Sequence, residues 1–178
     1  MPTYSDVRSA AEQIAGHAVL TPLLESPLLN EKLGGRLLVK AECLQRGGAF
    51  KFRGAYNRIS RLSGEQLKAG VVAFSSGNHA QGVALAAQML GTPAVIVMPK
   101  DAPVMKIDNT RAYGAEIVLY DRACENRTEI AQRLALERGA TLVPSYDDAF
   151  IIAGRGTVGL ELAAQVRDIG ADLDAVIA

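Results

Sequence analysis

An α/β fold of parallel sheets with crossover helices is predicted by three features of the chain. Short apolar runs rich in β-branched residues alternate with helical stretches. Most of those helical stretches close on a glycine. Between residues 71 and 143 a strand-plus-helix unit returns about every 23 to 25 residues, the ordinary rhythm of βα units rather than a solenoid repeat.

The elements follow in order. Ser5 is placed to cap a helix over "DVRSAAEQIAG", and Ser26 with Pro27 at the first helical position opens another over "PLLNEKLGG". Buried strands are expected at "RLLVKAE" (36–42), "VVAFS" (71–75), "AVIVM" (94–98), "EIVLY" (116–120), "TLVP" (141–144) and "DAVIA" (174–178). The intervening helices are "FKFRGAYNRISRL", "HAQGVALAAQMLG", "PVMKIDNTRAYG", "CENRTEIAQRLALERG" and "RGTVGLELAAQVRDIG". In open α/β sheets ligands sit at the carboxyl ends of the strands, and "DAVIA" is followed by no loop or helix. The expectation is therefore that these residues are part of a larger functional unit.

Composition narrows the function. With 178 residues, 49% of them hydrophobic, the chain can bury a sizeable core. Nineteen basic residues balance nineteen acidic ones and no Lys/Arg run forms a patch, so neither nucleic acid nor an anionic membrane is an expected partner. Small-molecule work is the better expectation. Cys43 and Cys124 have no metal-ligand spacing and are expected as buried or idle thiols, which points weakly to a reducing, cytoplasmic location. The N-terminal stretch has no basic region followed by an apolar core, and no apolar run approaches about 18 residues, so neither a signal peptide nor a membrane span is expected.

Two stretches carry chemistry. In "VVAFSSGNHAQGVALAA" an apolar strand runs through Ser75, Ser76, Gly77 and Asn78 into a helix. Small residues at such a turn let a ligand approach the main chain, and the first helical N–H groups favour an anion, a carboxylate or phosphate. An ordinary N-cap turn with no ligand is the competing reading. His79 could serve as an acid or base, or pack structurally. His17 reads as a surface residue at a helix end, and with two histidines in all and scattered carboxylates no metal site is expected.

In "GGAFKFRGAYNRIS" Lys51 stands between Phe50 and Phe52, just after Gly47 and Gly48. A lone lysine at a helix start usually snorkels to water. Flanking aromatics, however, can desolvate the ammonium, lower its pKa and free the amine as a nucleophile. Arg53 is expected to oppose full burial of this segment. The two glycines would let a flat ligand come close to the main chain. A desolvated lysine opposite a carboxylate cup suits Schiff-base chemistry on an amino acid.

"LVKAECLQRGGAFKFRGAYN" followed by "SSGNHAQGVALAA" resembles the pyridoxal-phosphate enzymes of the tryptophan-synthase-β fold type, fold type II, and within them the threonine dehydratase and serine racemase branch. The resemblance extends through "VIVMPKDAPVMKIDNTRAYGAEIVLY" and "PSYDDAFIIAGRGTVGLELAAQ". It implies that Lys51 carries the cofactor as a Schiff base and removes the substrate α-proton. Phe50 would lie against the cofactor ring and Asn78 would hydrogen-bond its phenolic oxygen. Ser75, Ser76, Gly77, Asn78 and His79 would hold the substrate carboxylate, and Ser76 matches the serine that acts on the opposite face in racemases.

The implied activity is removal of water and ammonia from L-threonine, L-serine or a related β-hydroxy amino acid to give a 2-oxo acid. Racemisation on the same fold, or a non-catalytic binding or oligomerisation module, are the alternatives. Ala49 departs from the serine that many relatives have before the Phe-Lys pair. The glycine-rich loop that cups the cofactor phosphate in the family is not among these residues. The implied layout is a large cofactor domain at 1–64 and 146–178, incomplete in these residues, with a small four-stranded domain at 65–145 inserted in it. Apolar faces left bare at "DAVIA" and along 150–169 imply a homo-oligomer or a complementing C-terminal half.

Overall fold

A computed structural model describes residues 1–177. The N-terminal helix α1 (Tyr4–Gln13) is capped by Thr3, not Ser5. Thr3 Oγ1 accepts from the Asp6 main-chain N–H while the Asp6 carboxylate accepts from the Thr3 N–H at 2.6 Å. This reciprocal box needs an acid three residues on, which Thr3 has and Ser5, followed by Arg8, lacks. Ser26 and Pro27 do open α2 (Pro27–Leu33), although Ser26 makes no side-chain cap bond.

The expected strand at 36–42 shrinks to β2 (Leu38–Lys40), which pairs antiparallel with a short strand β1 (Leu23–Glu25). Three residues are too few for any alternation to show, which is why no sequence pattern marks β1. Two tight helical turns at Glu42–Leu44 and Arg46–Gly48 then lead into α3 (Lys51–Ile59). A further helix, α4 (Gly64–Ala69), follows; its capping box between Ser63 and Gln66 is legible as Ser-x-x-Gln.

The chain then winds β3 (Val71–Phe74), α5 (Asn78–Leu90), β4 (Ala94–Pro99), α6 (Val104–Ala112), β5 (Glu116–Tyr120), α7 (Arg127–Arg138) and β6 (Thr141–Leu142). All four strands are parallel, in the order β5-β4-β3-β6, with Val71 opposite both Ala94 and Thr141. Successive residues of β3 face opposite sides. Val71 and Ala73 join the core formed with α3 and α5, whereas Val72 and Phe74 pack with Ala131 of α7. Gly91 and Gly139 end α5 and α7 with φ of +66° and +60°, a backbone region that glycine enters without steric cost.

The last helix, α8 (Ala149–Asp168), begins six residues earlier than "RGTV" suggested, because Asp148 caps it by accepting from the Ile151 N–H at 2.9 Å. By length and a mean hydropathy of 1.2 it is the one described helix apolar enough to cross a membrane. Here it packs on α1 and α3 and carries Arg155 and Glu161. "DAVIA" is not a strand over residues 174–177, and Ala178 lies outside the described residues. Among the described residues no other strand lies beside it to take up its main-chain hydrogen bonds, and Val176 and Ile177 are exposed.

Sheet order positions the functional region. The chain moves from β3 outward to β4 and β5, then returns to place β6 on the other side of β3. Strand order therefore turns at β3, and the crevice at such a point lies at the carboxyl end of the strand. That end is Phe74, followed directly by Ser75.

Candidate active site

Gly47 and Gly48 have φ of +68° and +73°, Ala49 is extended, and the backbone then turns into α3 with Lys51 as its first helical residue. Phe52 to Asn57 and Ile59 are all buried, so α3 has neighbours on nearly every side. On one side is α5, where a Cβ on Gly82 would lie 3.1 Å from the Lys51 carbonyl carbon and 3.1 Å from the Phe52 nitrogen. Gly82 is thus the residue that lets the start of α5 approach the start of α3. Lys51 itself is half-buried, and its Nζ lies 4.7 Å from the centre of the Phe50 ring. Burial, with the charge of Arg155 close by, lowers its pKa from the ordinary lysine value. Among the described residues it forms no ion pair.

Across from it, Ser75 Oγ accepts from the Gly77 N–H at 3.2 Å, and the Gly77 carbonyl accepts from the Gln81 N–H to start α5. The N–H groups of Asn78, His79 and Ala80 have no acceptor within the described residues. They form the open donor end expected of an anion cup. Ser76 is half-buried with no hydrogen-bond partner for its hydroxyl among the described residues, and Asn78 lies at the mouth of the turn. Lys106 Nζ donates to Asn78 Oδ1 at 2.7 Å, which turns the Asn78 amide NH2 the other way as a free donor.

His79 is 3% exposed, and its Nε2 lies 3.2 Å from the Val143 carbonyl oxygen. A carbonyl can only accept, so Nε2 carries the proton and Nδ1 is left as a buried acceptor without a partner. Burial holds this imidazole at a pKa of about 4, with Arg155 and Lys51 adding to the effect and the Val143 bond opposing it. The His79–Val143 contact and a bond from Ser145 Oγ to Phe74 O place the loop after β6 beside the Ser75 turn. Asp147 in that loop has φ of +57°.

Lys51, Phe50 and the Ser75–His79 turn are therefore brought together by the crossing of α3 and α5. Arg53 behaves otherwise than the sequence suggested. Arg53 is fully buried instead of opposing burial, because it turns away from Lys51 to two glutamates. Its guanidinium donates to both oxygens of Glu42 and both of Glu161, and also to Thr157 Oγ1 and Val19 O. Burial disfavours its charge, but these carboxylates more than offset that and raise its pKa. Lys40 joins the cluster through Glu161 at 2.7 Å.

Arg155, which sequence reasoning passed over, is the second cation near Lys51; its aromatic neighbour is the same Phe50 ring, 5.8 Å away. No local pattern marks it, since Phe50 and Arg155 are 105 positions apart. Cys43 and Cys124 are free and exposed rather than buried. The surface hollows of about 290 Å³ beside Thr92 and about 250 Å³ beside Leu160 are lined by neither Phe50, Lys51 nor the Ser75–His79 turn.

A parallel α/β sheet with a half-buried lysine that forms no ion pair among the described residues is the arrangement of a fold type II pyridoxal-phosphate enzyme, and the structural neighbours place the fold in that class. Residues 14–178 match the family described as pyridoxal-phosphate dependent enzyme, and the chain belongs to it. An L-threo-3-hydroxyaspartate ammonia-lyase from Pseudomonas sp. is 53% identical over 162 residues, 91% of this chain and 51% of that protein. A serine racemase from Schizosaccharomyces pombe is 45% identical over 171 residues, 96% of this chain and 53% of that protein. The solved structure of maize serine racemase superposes with a TM-score of 0.90 at 42% identity, covering 94% of this chain and 51% of that one. The chain spans about half the length of the curated relatives it matches.

Proposed function

We propose that the chain is the cofactor-bearing half of an enzyme that removes water and ammonia from a β-hydroxy amino acid, L-threonine, L-serine or a close analogue. The observation that carries this is the lysine itself. Lys51 has no ion-pair partner among the described residues and is pushed toward its neutral form, at the first position of a buried helix locked by Gly82 against the helix that opens the N–H cup. These features fit pyridoxal phosphate: a reactive amine, the Phe50 ring beside it, and a free donor on Asn78.

When bound, the cofactor supplies an electron sink for the substrate α-carbon. In this reading Lys51 Nζ holds the cofactor and then takes the α-proton. The N–H groups of residues 78–80, with Ser75, Ser76, Gly77 and His79, orient the substrate carboxylate. The β-hydroxyl departs as water, and the released enamine hydrolyses to a 2-oxo acid and ammonia. Residues 1–64 and 146–178 are assigned to a large domain and 65–145 to a small one, whose movement would shut water out of the crevice. The phosphate is assigned to residues of a C-terminal half, on the same polypeptide or a second one.

Racemisation is the second reading, favoured by the Ser76 hydroxyl, which has no hydrogen-bond partner among the described residues, on the turn facing Lys51. Borohydride reduction of the cofactor-loaded protein followed by peptide mapping tests the shared assignment; a pyridoxyl label on any lysine other than Lys51 sinks it. Release of 2-oxobutanoate from threonine then separates elimination from racemisation of serine. A chain that stays colourless with excess cofactor would support the non-catalytic module instead.

A further inference from the structure

The two arginines of the α3–α8 pair, Arg53 fully buried and Arg155 half-buried, are in opposite situations. Arg53 makes six hydrogen bonds, four of them to carboxylate oxygens. Arg155, on the second turn of α8, makes none that satisfy its inner nitrogens: Nε and Nη2 are shut off from solvent and have no partner among the described residues. Arg155 also belongs to no ion pair among the described residues. Its side chain runs over the bare face of Gly54, where a Cβ would come within 3.2 Å of its Cγ and 3.3 Å of its Nε. It ends on the same aromatic ring as the Lys51 ammonium.

A guanidinium does not give up its proton, so the charge persists, and desolvating it with no anion is costly. The accounting is incomplete unless an anion completes it. A second unsatisfied group lies close by. His79 is 3% exposed with Nδ1 unpartnered, and the charge of Arg155 reaches both His79 and Lys51. Arg155 thus lies beside the two ends of the gap that an amino acid would occupy, between the amine of Lys51 and the carboxylate cup.

We infer that Arg155 receives a second substrate carboxylate, on the side chain of an acidic β-hydroxy amino acid, while the first carboxylate occupies the Ser75–His79 turn. This rests on the function proposed above and names its substrate class. A neutral β-hydroxy amino acid would leave the guanidinium unpaired, whereas a 3-hydroxy dicarboxylic one brings the anion it lacks.

The test uses the cofactor-loaded protein. Succinate and propionate, which lack an amine and cannot react, are titrated calorimetrically, and kcat/KM is measured for threo-3-hydroxyaspartate and serine. Succinate is expected to bind more tightly than propionate. In Arg155→Gln the hydroxyaspartate-to-serine ratio of kcat/KM should fall about 10- to 100-fold, mainly through KM, with Arg155→Lys in between.

An unchanged ratio overturns the inference. So does a loss in Arg155→Gln of affinity for pyridoxal phosphate but not for pyridoxal, which would assign the guanidinium to the cofactor phosphate. An equal loss for all substrates with a lowered Tm would assign it to a carboxylate of the protein and overturn it likewise. If Arg155→Gln does not fold, the wild-type comparison decides, since no preference for succinate is itself a refutation. A Schiff base on Lys51 without that preference sinks this inference alone; a Schiff base elsewhere sinks the assignment of Lys51 as well.

Discussion

Replacing Gly154 by alanine tests the helix crossing on which the site depends. Gly154 on α8 meets α3 so closely that a Cβ would lie 2.7 Å from Arg53 O, 2.8 Å from Gly54 Cα and 2.9 Å from Asn57 Cβ. Ordinary carbon contacts are about 3.5 to 4.0 Å, so α3 must shift by roughly half an ångström or more. The obstructing atoms are main chain and Cβ, not the flexible end of a side chain. Such overpacking costs about 3 kcal/mol or more, set against the roughly 1 kcal/mol that alanine contributes over glycine in a helix, for a net loss of about 2 kcal/mol. Gly159, five residues on in the same helix, has nothing within 4 Å of its Cβ position, so Gly159→Ala should gain up to about 1 kcal/mol. Urea unfolding of the 178-residue chain, with m unchanged, reads both as midpoint shifts in opposite directions. A Gly154→Ala protein at least as stable as Gly159→Ala would refute the close crossing.

Two further outcomes follow from buried charge. His79 is held at about 4 against an ordinary 6.5, so the unfolded chain binds more protons between those values. Stability is full above about pH 6.5 and declines by about 3 kcal/mol as pH falls to about 4; in His79→Gln this slope should flatten, and parallel pH profiles for the two proteins would contradict it. Arg53→Met leaves Glu42 and Glu161 without their shared counter-ion and should cost about 3 to 5 kcal/mol in the same unfolding assay, with Arg53→Lys recovering only part because a point charge cannot serve both carboxylates as a fork does.

The legible part of the sequence is local. β3 and β4 are readable because continuous apolar, β-branched runs bounded by turn residues mark strands buried on both faces, and the edge strand β5 because its central Ile-Val-Leu run is equally β-prone. The placement of Lys51 at a helix start follows from the two glycines before it, and the cup from small residues between a strand and a helix. The resemblance of those two motifs to a known family then supplies a role that neither motif carries alone. Errors arise where a partner distant in sequence decides the outcome. "DAVIA" has the composition of a strand but no neighbouring strand among the described residues, and "RLLVKAE" finds an antiparallel partner in only three residues of β1.

Strand composition, helix punctuation and turn chemistry act over a few residues, so the parallel α/β class and the lysine and donor turn that mark the site are written in the chain itself. How the two arginines are used depends on tertiary packing. Arg53 and Glu161 are 108 positions apart, and Gly54 and Gly154 a hundred. Only the close crossing of α3 on α8 satisfies the first arginine with two glutamates and leaves the second, Arg155, beside Lys51 without an anion among the described residues.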